Sequence, residues 1–474
     1  MREAMAAQLS YWEPEDRSFW DREGSRVARR NLAVSVPALI LAFAVWMVWS
    51  VAVVNLPHIG FRFSTNQLFW LTAAPGLAGG TLRFLFAFVV PLVGGRTWTA
   101  LSTAALLLPT VGFGLAVQDP GTGYPTFLAL ALAAGIGGGN FASSMANISF
   151  FYPAERKGTA LGTNAGLGNL GVSLAQLLVP LAIGGALFGG TLFGGPQVWS
   201  DGQASREVWL QHAGFVWVPA IVIVAVLAWF RMDDILPLRA SIEDQAVIVA
   251  RRDTWLLSWL YLGTFGSFIG FAAGFPLIVE TEFANVDATP YVFAGPLAAA
   301  LARPLGGWLA DRLGGAGVAL ASFAAMAAAV TGLLASGGAA GGLGGFLALF
   351  AILFVASGVG NGAVFQLIPA VFATRRRRTA APDVPAQGRA AREGALEGAA
   401  ALGFASAIAA FGGFFIPKAY GTAVALTGGT AAALWMFLLF YASCIAVTWL
   451  FYLRPAATPA TKHRASRVAH GDPT

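Results

Sequence analysis

Two arginines, Arg83 and Arg303, stand in apolar stretches, each about ten residues from the next polar loop. An arginine at the centre of a membrane helix costs about 2.5–3.5 kcal/mol on insertion scales. None of the 23 acidic residues lies in the middle of an apolar stretch, and Glu280, at the end of one, comes closest. Two such cations without a protein counter-ion predict an anionic ligand between them. The fork of N–H donors on a guanidinium suits a planar oxyanion.

Structural roles for the two arginines are the alternative. Snorkelling to a loop is disfavoured because ten helical residues span about 15 Å, which exceeds the reach of one side chain. Further candidates to line an anion site are Asn164, Asn169, Tyr261, Phe265 and Phe141, although packing alone would also explain each aromatic residue.

Enzyme chemistry has no support in the sequence. The four histidines are scattered, no Ser-His-Asp order stands out, and the single cysteine, Cys444, excludes an intrachain disulfide and a cysteine-based metal cluster. We therefore expect no catalytic residues, no metal and no cofactor.

The elements that must position these residues are membrane helices. The 474 residues are 57% hydrophobic and 11% charged, whereas soluble domains carry about 25% charged residues. From Gly135 to Gln176 the chain is rich in Gly, Ala, Ser and Asn, a composition that lets membrane helices pack closely. At roughly 20 apolar residues per span, twelve spans are predicted: 32–55, 68–93, 97–117, 126–150, 157–184, 212–230, 255–280, 289–310, 316–335, 344–371, 397–424 and 429–453.

Charge asymmetry predicts the orientation. With twelve spans, 24 of the 29 Lys and Arg residues fall on the side of both termini and two on the other, and three lie inside spans. The positive-inside rule then places both termini in the cytoplasm. The run Arg375–Arg378 fits this topology signal better than nucleic-acid binding. The first apolar run is too long for a cleaved signal peptide.

An internal repeat divides the chain. Arg83 is followed by Gly94 and Gly95, and Arg303 by Gly314 and Gly315 at the same offsets, 220 residues later. Parallel halves of this kind, with a site between them, are typical of transporters. We expect an all-α membrane protein of two six-helix bundles, divided as follows: leader 1–31, N-terminal half 32–230, cytoplasmic linker 231–254, C-terminal half 255–453 and cytoplasmic tail 454–474.

Three segments carry a family resemblance. GGNFASSMANISFFYPAERKGTALGTNAGLGNLGVSLAQ resembles the nitrate signature of the NarK-type nitrate/nitrite porters of the major facilitator superfamily. RPLGGWLADRLGG, from Arg303 to Gly315, resembles that superfamily's loop motif, and GALEGAALGFASAIAAFGGFFIPKAYG resembles the family's second glycine-rich signature. The resemblance implies transport of nitrate and nitrite across the inner membrane, in nitrate assimilation, by a protein that binds no nucleic acid. A monomer in the lipid bilayer is expected.

The resemblance also implies roles for residues. Arg83 and Arg303 would clamp the anion from opposite halves, Phe141 and Phe265 would flank it, and Tyr261 and Asn169 would be polar contacts. Span five also offers Asn164. Glycines of spans five and eleven would let helices slide or bend between two states: Gly158, Gly162, Gly166, Gly168, Gly171, Gly403, Gly412 and Gly413.

The family includes nitrate/nitrite exchangers and proton-coupled symporters. Two guanidinium groups ~8 Å apart repel by about 2 kcal/mol at an effective dielectric near 20, which favours closure only around an anion and hence exchange. A symporter needs a group that takes up a proton, and His58 and Glu280 are the candidates for coupling. The sequence favours exchange. Symport, an anion channel, a non-transporting anion sensor and a different small anion or organic acid stay open.

Overall fold

The computed structural model describes residues 8–185, 193–202, 204–235, 247–283, 291–337, 341–381 and 384–454. The predicted tail beyond Arg454, part of the linker and the first seven residues of the leader lie outside the described residues. The described chain is helical apart from loops and two small two-stranded sheets.

Twelve helical spans follow one another along the part of the chain that the structure describes. They are span one, Ser25–Asn55; two, Thr65–Phe86; three, Gly95–Ala105 and Leu107–Ala116; four, Tyr124–Phe151; five, Ala154–Gly168 and Leu170–Ile183; six, His212–Phe215 and Val218–Arg231; seven, Arg252–Tyr261, Leu262–Gly266 and Ser267–Glu282; eight, Ala294–Leu313; nine, Gly315–Ala335; ten, Gly342–Thr379; eleven, Val384–Ala410 and Gly412–Thr427; and twelve, Ala431–Thr448 and Trp449–Leu453. Shorter helical segments are Arg17–Phe19, Trp20–Gly24, Pro57–Ile59, Val89–Val93 and Val247–Ala250.

Ten helices of the described chain are long and apolar enough to cross a membrane. Spans two and eight are not among the ten, and these are the two that carry Arg83 and Arg303. The predicted helical membrane fold is confirmed, and the two polar spans are those in which the sequence places the anion site.

We call the face with the N-terminal segment the leader side and the opposite face the distal side. On the leader side, β1 (Gln8–Leu9) pairs in parallel with β4 (Asp234–Ile235). Trp12 donates through Nε1 to the carbonyl of Phe150 at 3.0 Å. These contacts attach the leader to span four and the linker. On the distal side, β2 (Gln197–Ser200) and β3 (Ser205–Val208) form an antiparallel hairpin.

Two regions differ from the sequence-based expectation. The polar stretch 373–396, expected as a loop, is largely helical, because spans ten and eleven extend through it. Arg376 ties the extensions together, with ion pairs to Glu393 at 3.0 Å and Glu397 at 2.6 Å. The leader sequence suggests an amphipathic helix containing Trp12, Phe19 and Trp20. In the structure this helix begins only at Arg17, includes the π-helical turn Trp20–Gly24 and continues into span one at Ser25, so Trp12 lies outside it.

The internal repeat is visible in helix packing. A Cβ on Gly138 would lie 2.8 Å from the Cα of Gly79, where spans two and four cross. In the second half, a Cβ on Gly358 would lie 2.8 Å from the Cα of Ala299, where spans eight and ten cross. Gly358 follows Gly138 by 220 residues, and Ala299 follows Gly79 by 220 residues, which is also the offset between Arg83 and Arg303. The tight crossings therefore place the two arginines at equivalent positions.

Candidate functional site

Arg83 is fully buried in span two. Its Nε donates to the carbonyl of Gly138 at 2.8 Å, and its Nη1 donates to the carbonyl of Ser406 at 2.8 Å. Ser406 belongs to span eleven, so this arginine joins the two halves through a backbone acceptor. Its Nη2 is buried without a hydrogen-bond partner in the described structure.

Arg303 lies in span eight and is 6% exposed. Its Nη1 is also buried without a hydrogen-bond partner among the described residues. Tyr261 in span seven is fully buried and lies near both arginines. Its Oη is close to the Arg303 side chain, but no described group forms a hydrogen bond of good geometry with it. Three polar groups capable of donating hydrogen bonds therefore converge without acceptors. A buried donor left unpaired costs about 1–3 kcal/mol, so this arrangement favours an added acceptor.

No carboxylate of the described chain forms an ion pair with either arginine. The described ion pairs lie near helix ends and in the leader, the linker and the extensions of spans ten and eleven. The charge of the two guanidinium groups is therefore available to an anion.

Aromatic rings enclose the Arg83 guanidinium. Its Cζ lies 4.5 Å from the ring centroid of Phe141 and 5.1 Å from that of Phe265. These two rings belong to different halves and stack with centroids 6.3 Å apart and an interplanar angle of 28°. Tyr261 stacks in turn on Phe265 at 5.6 Å. The rings exclude water, which strengthens electrostatic interactions at the arginines.

Span seven reaches this cluster through an irregular turn. Leu262–Gly266 is π-helical and lies between two α-helical segments. Such single-turn π-bulges are frequent at functional sites because they change the direction of side chains. Phe265 lies within the bulge, and Tyr261 directly precedes it.

The two asparagines of span five have different environments. Asn169 stands where the helix is interrupted between Gly168 and Leu170; it is 1% exposed and its Oδ1 has no partner in the described structure. Asn164 donates through Nδ2 to Ser144 Oγ at 2.8 Å, and Ser144 shares a 2.8 Å hydrogen bond with Ser35. A contact between Asn164 Nδ2 and an anion would compete with an existing bond.

The glycines predicted to permit motion fall into two groups. Gly168 and Gly171 pack on span one, and Gly412 and Gly413 pack on spans seven and two; in each case an added Cβ would approach another atom within 3.0 Å. An added Cβ would meet nothing within 4 Å at the other four: Gly158, Gly162, Gly166 and Gly403. The second group occupies the leader-side parts of spans five and eleven.

Contacts between the halves concentrate on the distal side of the arginines. Gln176 donates through Nε2 to the carbonyl of Ala272 at 2.6 Å, joining spans five and seven. Lys418 donates to Asn66 Oδ1 at 2.7 Å, joining spans eleven and two. A Cβ on Gly76 would lie 2.2 Å from the carbonyl carbon of Gly413, so spans two and eleven touch by their backbones.

The two candidates for proton coupling also meet across the halves. His58 Nε2 lies 2.9 Å from Glu280 Oε1, and the His58 ring packs on Trp199 with centroids 4.5 Å apart. Residue type alone made both candidates for coupling, and nothing in the sequence predicted that they are in contact. Because Glu280 is 15 residues beyond Phe265, the pair lies about 22 Å along the helix from the arginine site.

Sequence reasoning missed four contributors to the site. Trp46 lies 5.5 Å from the Arg83 guanidinium, and Phe365 lies 5.0 Å from that of Arg303. Gly138 and Ser406 supply the carbonyls that accept from Arg83. The repeat contains a partial signal for Phe365. The position equivalent to Phe141 in the second half is Asn361, 220 residues later, and Phe365 lies about one helical turn beyond Asn361. Trp46 and Ser406 have no signal in residue spacing. Among the described residues, no group of His, Cys, Asp or Glu could hold a metal ion.

Comparison with known proteins identifies relatives along almost the whole chain. The nitrate/nitrite transporter NarU of Salmonella typhimurium is 48% identical over 94% of this chain and 96% of its own length. NarU of Escherichia coli is 46% identical over the same shares, 94% and 96%. The probable nitrate/nitrite antiporter NarK2 of Thermus thermophilus is 38% identical over 96% of this chain and 99% of its own.

Solved structures with the same fold are more distant. A D-xylose–proton symporter superimposes with a TM-score of 0.62 at 16% identity, covering 90% of this chain and 98% of the symporter. A bacterial homologue of the lysosomal transporter Spinster gives 0.59 at 17% identity, covering 90% and 96%. Residues 38–381 match the Major Facilitator Superfamily. The paired arginines, the repeated crossings and these relatives agree: the chain belongs to the NarK-type nitrate/nitrite porters of the major facilitator superfamily, which are membrane transporters and not enzymes.

Proposed function

We propose that the protein exchanges nitrate for nitrite across the inner membrane by alternating access, with Arg83 and Arg303 binding the anion from opposite halves. The relatives named as nitrate/nitrite transporters support the substrates, and the Thermus relative, named as a probable antiporter, supports exchange. In this proposal the moving bodies are residues 32–230 and 255–453, and the leader side is cytoplasmic.

One observation carries the proposal. Arg83 Nη2, Arg303 Nη1 and Tyr261 Oη are buried, lack partners in the described structure, and have no neighbouring carboxylate ion pair. A planar anion with three oxygen atoms offers acceptors to all three. Because both arginines stay charged when the anion leaves, their repulsion opposes closure of an unloaded carrier, and this favours obligatory exchange.

The contacts between the halves support alternating access. Distal contacts, among them Gln176–Ala272 and Lys418–Asn66, close the path between the arginines and the distal side. The leader-side glycines Gly158, Gly162 and Gly403 have open space around them. Each distal hydrogen bond contributes about 1 kcal/mol, so a few such bonds hold a closed state that anion binding can outweigh. Closure of the leader side would bring spans five and eleven against the opposite half.

Proton-coupled symport is a second candidate because His58 and Glu280 form a titratable pair across the halves. A proton held there would not compensate the charge of the arginines directly, since the pair lies about 22 Å along span seven from Phe265. It could only act by changing the stability of the distal closure. Exchange therefore remains the proposal, and the pH dependence of transport separates the two.

The test uses proteoliposomes loaded with nitrite, with nitrate in the outer medium. Exchange predicts saturable nitrate uptake that requires internal nitrite or nitrate and is unchanged by an imposed pH gradient. Vesicles with Arg303→Lys protein give the background. Equal uptake into nitrite-free vesicles that follows the pH gradient would establish symport, and uptake without saturation or counterflow would indicate a channel. Counterflow of another small anion or an organic acid in place of nitrate would refute the substrate assignment.

A further inference from the structure

A large groove lies outside the arginine site, where spans seven, eleven and twelve meet. Its volume is about 600 Å³. The floor includes buried Gly266, Phe437 and Tyr441, and the rim includes Phe415 and Met436, which are 55% and 59% exposed. Nearly all of the lining is apolar. A groove of this composition on the outside of a membrane protein faces the hydrocarbon of the bilayer.

The dimensions of the groove fit one lipid chain. Along span eleven its lining extends from Gly412 to Thr427, a rise of about 23 Å at 1.5 Å per residue. One leaflet contributes about half of the ~30 Å hydrocarbon thickness. An extended acyl chain of the distal leaflet can therefore lie in the groove from the distal membrane surface to the middle of the protein.

One positively charged residue belongs to the lining of the groove. Lys418 is the single charged residue in its described lining. The Lys418 ammonium donates to Asn66 Oδ1 at 2.7 Å and lies 4.7 Å from the Trp70 ring centroid. Asn66 belongs to the first turn of span two, at its distal end. The ammonium therefore lies near the level of the distal headgroups, and its remaining N–H donors can reach a phosphate.

The deep end of the groove reaches the anion site from behind. Leu262 and Gly266, the first and last residues of the π-helical turn, line the groove, while Phe265 of the same turn lies against Arg83. A Cβ on Gly412 would come within 2.3 Å of the Cα of Gly266, so spans seven and eleven cross beside it. A chain in the groove would contact the turn that holds Phe265 and the glycine crossing beside it.

We propose that this groove is a binding site for one anionic phospholipid of the distal leaflet, whose acyl chain lies between spans seven, eleven and twelve and whose phosphate is held by Lys418. The negative charge selects the lipid, and the apolar lining holds its chain. Occupation stabilises the π-helical turn and the position of Phe265.

Native mass spectrometry of the delipidated full-length protein tests this assignment. The protein is incubated with dioleoyl phosphatidylglycerol or with dioleoyl phosphatidylcholine, and the retained lipids are counted. We expect one phosphatidylglycerol to be retained at concentrations at which phosphatidylcholine is not. Lys418→Gln removes a charged hydrogen bond and should weaken phosphatidylglycerol retention by about tenfold. Arg62→Gln, at an exposed distal position outside the groove, is the matched control and should retain the lipid.

A second variant keeps the charge and fills the groove. Ala419→Phe should also reduce phosphatidylglycerol retention, with Lys418 intact. Equal retention of the two lipids by the wild type, or undiminished retention by either Lys418→Gln or Ala419→Phe, would overturn the proposal. Lipid retention requires no nitrate, so this result is independent of the transport assay. If the assignment is right, counterflow in phosphatidylcholine vesicles should rise when phosphatidylglycerol is added, for the wild type but not for Ala419→Phe.

Discussion

The two halves hold equivalent arginines in different ways. Arg83 is fully buried, bonded to two carbonyls and in contact with three aromatic rings. Arg303 is slightly exposed, with a contact to one ring, that of Phe365, and its Nη1 has no partner in the described chain. A repeated position has become a fixed cation in one half and a less constrained one in the other.

The difference indicates how an anion can change the contacts between the halves. Arg83 is already bonded to the opposite half through the Ser406 carbonyl, so its position is set before a ligand arrives. Arg303 has fewer bonds to lose and can move onto the anion. In the proposed cycle, the first half positions the anion and the second half closes on it.

The loops that follow the arginines differ as well. In the second half, the loop motif itself contains an acidic residue, Asp311. With the side-chain nitrogen of Gln366 oriented towards Asp311, this nitrogen donates to Asp311 Oδ1 at 2.8 Å. In the first half the equivalent position is Pro91. There the linker supplies Asp234, whose carboxylate accepts from the backbone N–H of Arg96 at 2.8 Å and from its Nε at 3.1 Å. An acid at the start of the third span also interacts favourably with the helix dipole.

Lysine substitutions of the two arginines give the largest expected effect. Each variant replaces the fork of N–H donors of a guanidinium by a single ammonium group. The loss of one charged hydrogen bond to the anion costs about 1.5–3 kcal/mol, so nitrate binding should weaken at least tenfold. Only Arg83→Lys should also lower the melting temperature markedly, because it loses the bonds to Gly138 and Ser406. Nitrate titrations and thermal melts in the same detergent measure both.

Equal decreases in melting temperature for the two lysine variants would contradict the view that Arg83 is held more firmly than Arg303. Full nitrate transport by either variant would remove the two-arginine clamp altogether. The double variant tests independence, since side chains that bind one ligand should show non-additive losses.

Asn substitutions of the two acids come next. Asp234→Asn should destabilise the protein by about 1.5–3 kcal/mol, because it removes a buried charged acceptor, whose side chain is 4% exposed. Asp311→Asn should cost less than about 1 kcal/mol, as is typical of exposed charges. Denaturation midpoints of the two variants give the comparison. A larger loss of stability for Asp311→Asn than for Asp234→Asn would show that Asp234 of the linker does not replace the acidic residue that is missing at position 91.

The sequence contained much of the fold and part of the site. Hydropathy and the repeat predict the helical membrane fold and the equivalence of the two arginines, because burial and symmetry leave signals in residue type and spacing. The family resemblance named Phe141, Phe265 and Tyr261, which the structure places together around Arg83.

Other features had no such signal. A carbonyl acceptor is present in every residue, so the bond from Arg83 to Ser406 could not be predicted from side-chain identity. The partner of Asn164 is Ser144, a hydrogen bond between neighbouring spans that depends on helix rotation. The helical extension through 373–396 depends on pairing of Arg376 with Glu397, which composition alone does not indicate.

The smallest expected effect comes from the rings that face the arginines. Phe141→Leu removes a ring 4.5 Å from the Arg83 guanidinium that also stacks on Phe265 of the other half. Phe365→Leu removes a ring 5.0 Å from Arg303. Cation–π contacts contribute about 0.5–2 kcal/mol, the upper end when desolvated. We therefore expect the half-saturating nitrate concentration in counterflow to rise about fivefold for Phe141→Leu and about twofold for Phe365→Leu.

Tyrosine at each position keeps the ring and serves as the matched control. Near wild-type values for Phe141→Tyr and Phe365→Tyr, with losses for both leucine variants, would assign the effect to the ring face. An equal or larger effect of Phe365→Leu would mean that the second half binds the anion as rigidly as the first. Because Arg303 has fewer bonds than Arg83, its guanidinium can shift to recover part of the lost contact, and this is the physical reason for expecting the smaller loss there.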